Sequence, residues 1–232
     1  PNSLLYVYNA DSKKAVWTTY DINLDPWTKL YLGENPKDAS ELNKNPLFSK
    51  YKSGFTYSVE ANVIDLGEPT ISFLQDSIGG SQHYYKISIT PNRQVNRYDV
   101  FANENMTFYN LKANGATALD QKGSLYKRKG KNLVSYYVVE NEPLELQFSI
   151  PVNTVFDMDL MESSFDLVSN PKFRIAKRLP WMMPMPFVLN DAVVIQKKIV
   201  PSNVVSKSEI FKPRKLTPKD SLTVNIDTLI TR

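Results

Sequence analysis

The feature that most constrains this chain is a two-residue alternation of apolar and polar side chains, repeated along much of its first two hundred residues. Residues 56–65 set Tyr57, Val59, Ala61 and Val63 against Thr56, Ser58, Glu60 and Asn62. Residues 81–90 place His83, Tyr85, Ile87 and Ile89 on one side. Leu144, Leu146, Phe148 and Ile150 oppose Glu145, Gln147 and Ser149. Residues 155–161 set Phe156, Met158 and Leu160 against Asp157 and Asp159. Side chains on a strand alternate between its faces, so this pattern builds sheets with one face on a core and one in water.

Further β-rich stretches fall at 3–9, 14–20, 70–74, 95–102, 107–113, 133–139 and 192–199. Turn formers separate them: Gly79-Gly80, Asn92, Asn114-Gly115, Lys129-Gly130 and Asn141-Glu142-Pro143. Many short strands at close spacing predict an all-β fold, an antiparallel β-sandwich or jelly roll with little helix. One helical piece is expected at 25–30, where Asp25 caps, Pro26 takes the first helical position and Gly33 stops the chain. Residues 38–43 suit another turn of helix. Between Ser163 and Asn190 the alternation fails, and Pro171, Pro180, Pro184 and Pro186 impose a long irregular excursion. The expected organisation is a β-sandwich domain over 1–200 and a basic extension over 201–232. In that extension only Leu222-x-Val224-x-Ile226 alternates, enough for one extra strand.

Composition narrows the chemistry. The 232 residues include no cysteine and a single histidine, His83, which removes disulfides, thiolate sites, histidine-rich metal sites and histidine-pair catalysis. The net charge of +4 is unevenly placed: from Gln196 onward eight Lys/Arg stand against three acids, while the preceding body is close to neutral. A nucleic-acid surface would need a basic stripe on the folded face, and the body has no such excess. No run approaches the roughly 20 apolar residues of a membrane helix, and no signal-peptide stretch is present. A start at Pro1-Asn2-Ser3 without methionine suggests a processed or excised piece.

Motifs for catalysis are weak. The S-x-x-K spacing occurs at Ser49/Lys52, Ser124/Lys127 and Ser169/Lys172 without the partner motifs that give it meaning. Asp157-x-Asp159-x-x-Glu162 is the best carboxylate cluster and can be tried against a hard cation such as calcium, but it reads more simply as a solvated strand face. His83 has no second ligand near it in sequence. Asn105-Met106-Thr107 matches a glycosylation acceptor. Lys127-Arg128-Lys129-Gly130-Lys131 is the densest basic run. Its Lys127, Arg128, Lys129 and Lys131 are candidate contacts to an anionic surface, against a plainer role as a turn that guards strand edges.

Two apolar features carry binding hypotheses. Trp17, Trp27, Tyr84, Tyr85, Tyr136 and Tyr137 can be read as a sugar-stacking platform, though each Tyr-Tyr pair must send one ring inward. The segment from Leu179 to Leu189 is too broken by proline for a helix or central strand and too apolar to lie bare as a loop. By default such a segment covers an end of the sandwich, since apolar residues bury in their own core; otherwise it presents a surface for docking to another domain, for which Trp181, Met183, Met185 and Phe187 are the candidate residues.

Several runs together resemble a known family. They are Pro1-Asn2-Ser3-Leu4-x-Tyr6, Ala15-x-Trp17-x-Thr19-Tyr20, Leu24-Asp25-x-Trp27-Thr28 and Pro91-x-Arg93-x-Val95-Asn96-Arg97. Leu160-x-Glu162-x-Ser164-x-Asp166-Leu167 and the run from Met183 to Ala192 complete the likeness. In order and spacing they resemble the C-terminal, non-catalytic domain of bacterial membrane-embedded zinc exopeptidases, relatives of the endoplasmic reticulum metallopeptidase in the aminopeptidase-Y-like family. The resemblance covers about residues 1–199. It implies an extracytoplasmic, periplasmic β domain that is not itself an enzyme, with the peptidase and membrane domains of the same polypeptide as its partners. It implies no cofactor in this chain, zinc belonging to the upstream domain, and a structural or substrate-directing role. The alternative reading is a carbohydrate-binding β-sandwich module.

Overall fold

The computed structural model describes residues 1–117, 121 and 123–201, of which Pro1–Pro201 belong to one compact unit. The extra strand expected within 201–232 lies outside the described residues. In chain order the strands are β1 (Leu5–Asn9), β2 (Lys14–Thr19), β3 (Lys37–Asp38), β4 (Tyr57–Ala61), β5 (Thr70–Gly79), β6 (Gln82–Thr90) and β7 (Arg97–Ala102). There follow β8 (Phe108–Ala113), β9 (Ala116–Thr117), β10 (Leu125–Tyr126), β11 (Asn132–Tyr137), β12 (Leu144–Pro151), β13 (Met158–Ser164) and β14 (Ala192–Ile199).

They form two sheets, as the alternation requires. The larger runs β11-β7-β13-β14-β1-β2-β4-β3 and the smaller β10-β8-β12-β6-β5, with β9 beside β8. Pairing is antiparallel except between β1 and β14, which run parallel in the middle of the large sheet. The first and last of the described strands are therefore neighbours, and the sandwich is not purely antiparallel.

Register assigns the faces of the large sheet. Tyr6, Val193, Ile195, Glu162, Leu160, Tyr98 and Val100 share one side, and Leu5, Val7, Val194, Met161 and Phe101 share the other. The first side meets two covers. Around β7 and β13 it packs on the small sheet, where Tyr98, Val100, Met158 and Leu160 join Tyr85, Ile87, Leu146 and Phe148 in one core. Around β1 and β2 it packs under Trp27, Leu32, Leu66, Leu167 and Phe173 in a second core. The opposite side carries a third core with Tyr20, Leu47, Phe55 and Leu189. Both faces of β13 and β14 are thus covered, which explains why β13 (Met158–Ser164) begins and ends three residues later than the alternation at 155–161 predicts. Its burial is nearly continuous and includes Glu162, Ser163 and Ser164, so a period of two has no wet face to mark.

The helix expected after Asp25 is α1 (Pro26–Leu32). Asp25 accepts from the amides of Trp27 and Thr28, and the Thr28 hydroxyl takes the Asp25 amide, a closed capping box. Gly33 ends the helix at φ 69°, a conformation that disfavours a Cβ. A short 3₁₀ turn occupies Ser40–Lys44.

Candidate functional site

The proline-broken segment is the strongest candidate surface, and its backbone is fixed. In the run 183–187 the prolines at 184 and 186 offer no amide, so pairing falls to the residues between them. The Met185 amide donates to the Asn2 carbonyl (2.7 Å), and the Asn2 amide donates to the Met183 carbonyl (3.0 Å). Further on, the Lys50 amide donates to Phe187 (2.9 Å) and the Leu189 amide to Phe48 (3.0 Å). Arg178 anchors the approach. It grips Asp191 with two hydrogen bonds (2.7 and 2.6 Å), donates to the Asn2 side chain (2.6 Å) and lies 4.1 Å over the Trp27 ring.

On this frame the four candidate residues divide. Trp181, Met183 and Phe187 are 70%, 55% and 54% exposed. Met185 turns inward and packs against the third core. The Phe187 ring stands edge-on to exposed Tyr51, 6.1 Å between centroids, with the Lys50 ammonium 4.7 Å from its centre. Its backbone sits at φ 63°, where a bulky side chain costs roughly 1–2 kcal/mol. Glycine or asparagine would adopt this backbone at lower cost.

The basic run also divides. Arg128 turns in from the surface, and burial lowers its pKa from the usual guanidinium value. It donates to the carbonyls of Ala102 (3.1 Å), Met106 (3.2 Å), Gly130 and Asn103, and covers the Phe108 ring. Lys127, Lys129 and Lys131 stay exposed.

The carboxylates do not converge. Asp157 and Asp159 meet the Lys198 ammonium at 2.9 and 3.1 Å, so a lysine fills the space between them. Glu162 lies on the opposite face, fully buried, against Arg93 (2.8 Å) with the Tyr98 hydroxyl at 3.3 Å. Burial raises the Glu162 pKa, and the Arg93 charge opposes that rise. Among the described residues no group of three or more His, Asp or Glu is placed to hold a metal ion.

Sequence reasoning missed the setting of His83. Its Nε2 meets the Asp76 carboxylate at 2.5 Å, and its Nδ1 faces the Tyr85 hydroxyl at 3.0 Å while the rings stack 4.2 Å apart. Burial pushes the Tyr85 hydroxyl up to about 12. The i, i+2 spacing of His83 and Tyr85 was visible in the sequence. Asp76 reaches them only through the β5–β6 pairing. Of the aromatic platform, Trp17 and Trp27 pack in the second core, while Tyr84 and Tyr137 are exposed on different sheets. They form no array. The Tyr-Tyr pairs split as alternation requires, with Tyr85 3% and Tyr84 40% exposed.

No protein-family model matches the chain, and no curated protein matches it. A solved structure, the N-terminal domain of PorA, is similar at 14% identity over 54% of this chain and 83% of that one, with a TM-score of 0.22. That score supports no argument about fold or function. No helix among the described residues is long and apolar enough to cross a membrane.

Proposed function

We propose that this chain is the extracytoplasmic, non-catalytic β domain of a membrane-anchored zinc aminopeptidase-like protein. It docks on the peptidase domain of the same polypeptide and helps direct peptide ends to it. The observation that carries the reading is that Trp181, Met183 and Phe187 are all more than half exposed in one apolar segment whose backbone is tied to Asn2 and Lys50. Large apolar side chains on an ordered backbone suit a permanent contact, because little side-chain or loop entropy remains to be lost on docking. The resemblance of the runs quoted above supplies the kind of partner.

The test is W181S/F187S in the full-length parent. Both side chains are more than half exposed, so the domain itself should fold with unchanged stability. Crosslinking to the peptidase domain should fall and the turnover of long peptides should change. Unaltered crosslinking and turnover would remove the docking proposal.

A further inference from the structure

A second surface lies at the open side of the sandwich. There the described strands at the sheet edges are β11 for the large sheet and β9 and β10 beside β8 for the small one. Between them runs a cleft of about 390 Å³ whose apolar wall is Leu111, Ala113, Tyr126, Leu133 and Val134. A register shift between Asn132 and Val134 turns both Leu133 and Val134 towards this side. Two bonds bridge the walls and fix their spacing: the Tyr126 hydroxyl to the Leu133 carbonyl (3.3 Å), and the Asn114 side-chain amide to the Tyr136 hydroxyl (3.0 Å).

Among the described residues the edge of β11 carries no further strand, and past Leu133, whose carbonyl is taken by Tyr126, its backbone groups on that side have no strand partner. Leu133 turns its carbonyl away from β7 to meet Tyr126. Ser135 and Tyr137, at the same phase of the pleat, present their backbone groups outward in the same direction. The loop 127–131 joins the two walls, since it connects Tyr126 on one to Asn132 on the other. Arg128 ties that loop to three carbonyls outside it, those of Ala102, Asn103 and Met106, and also bonds the Gly130 carbonyl within it. Lys127, Lys129 and Lys131 remain exposed and, among the described residues, make no ion pair within 4.0 Å. The result is an apolar cleft with an edge that no described strand covers and a preorganised basic rim at one end.

We infer that this cleft binds an extended acidic peptide segment, which adds as a strand to β11. Alternate apolar side chains of the segment enter the cleft, its backbone pairs with Ser135 and Tyr137, and its carboxylates meet the lysine rim. Charge complementarity selects this partner: three exposed lysines, of which Lys131 also acts on Asp157, stand at the end of a strand-shaped apolar slot and fit an acidic strand while repelling a basic one.

The experiment uses the full 232-residue chain and a fluorescein-labelled peptide of alternating valine and glutamate. Anisotropy reads affinity, and amide hydrogen exchange locates the contact. Expected are saturable binding that weakens with salt, slowed exchange at Ser135 and Tyr137, and about tenfold or greater loss of affinity in K127A/K129A/K131A, as surface charge steering implies. A valine–lysine peptide, or the glutamate peptide N-methylated at alternate residues, should not bind. These two controls need no protein variant. Absence of binding, binding unchanged by the triple substitution, equal binding of the N-methylated peptide, or unslowed exchange along β11 would each overturn the inference. So would tight, lysine-dependent binding of anionic phospholipid vesicles together with no peptide binding, which would assign the rim to a membrane surface.

Discussion

Individual residues here acquire roles that depend on what the fold brings beside them. Asp157 shows this in its titration. The Lys198 ammonium, then the Asn103 amide, hold its pKa below the usual carboxylate value. A depressed carboxyl stabilises the folded state fully above its unfolded pKa, and that contribution is lost as pH falls through the folded value. D157N should therefore be less stable than the native chain at neutral pH. The difference should shrink to nothing as acid passes the ordinary aspartate range and then the depressed folded pKa. Urea midpoints of the two proteins across acidic pH check this, and a gap that persists in strong acid would contradict it. Glu162 works in the opposite sense. Burial raises its pKa, so its charging costs stability as pH rises above the ordinary glutamate range. The odd spacing of Asp157 and Glu162 already sends them to opposite faces of a strand. Their partners were not legible: only the third dimension brings Lys198 to one and Arg93 to the other.

At the scale of elements, the local rules performed best where the signal is chemical and short-ranged. Asp25, Pro26 and Gly33 place α1 because each satisfies a helix-end requirement that needs no distant partner. Asp25 also takes a hydrogen bond from Asn2 at 2.6 Å, which joins the helix to the start of the chain. D25A should lower stability by about 1–2 kcal/mol through loss of the cap, and D25N should recover most of it. Chemical denaturation followed by circular dichroism reads both, and equal losses in the two variants would show that charge, not capping, matters. The exposed-edge alternation of β6 and β12 was equally legible, since one face of the small sheet is wet. The strands β13 and β14 were harder. Covered on both faces, they lose the period of two, and Ser163 and Ser164 look like solvent-facing residues while being buried. The two-residue strands β3, β9 and β10 carry too few side chains for any pattern.

Across the whole molecule, β13 and β14 tie the three cores together. Met158, Leu160 and Ile199 enter the first, Val193 and Ile195 the second, Met161 and Val194 the third. Losing any one core would uncover strands that the other two require, so the described body should unfold in a single transition. Tryptophan fluorescence of W181F, whose remaining Trp17 and Trp27 report the second core, should coincide with amide exchange of β6 and β12 in the first. Separate transitions would show that the cores are independent. The parallel β1–β14 pair gives the same conclusion from topology, because the two ends of the described body meet in the middle of one sheet.

The sequence by itself determined the all-β class, the longer strand-forming segments with one face in water, the helix at Pro26 and the lack of any histidine or cysteine constellation. These follow from side-chain periodicity, end-capping chemistry and composition, all of which act over a few residues. Only the tertiary structure decided which charges are spent and which remain free. It buried Glu162 on Arg93, placed Lys198 between Asp157 and Asp159, and turned Arg128 into a loop anchor that leaves its neighbouring lysines exposed. It likewise separated Met185 from Trp181, Met183 and Phe187. Partners far apart in the chain meet through strand register and loop paths, and those depend on the packing of the whole body, not on any local run of residues.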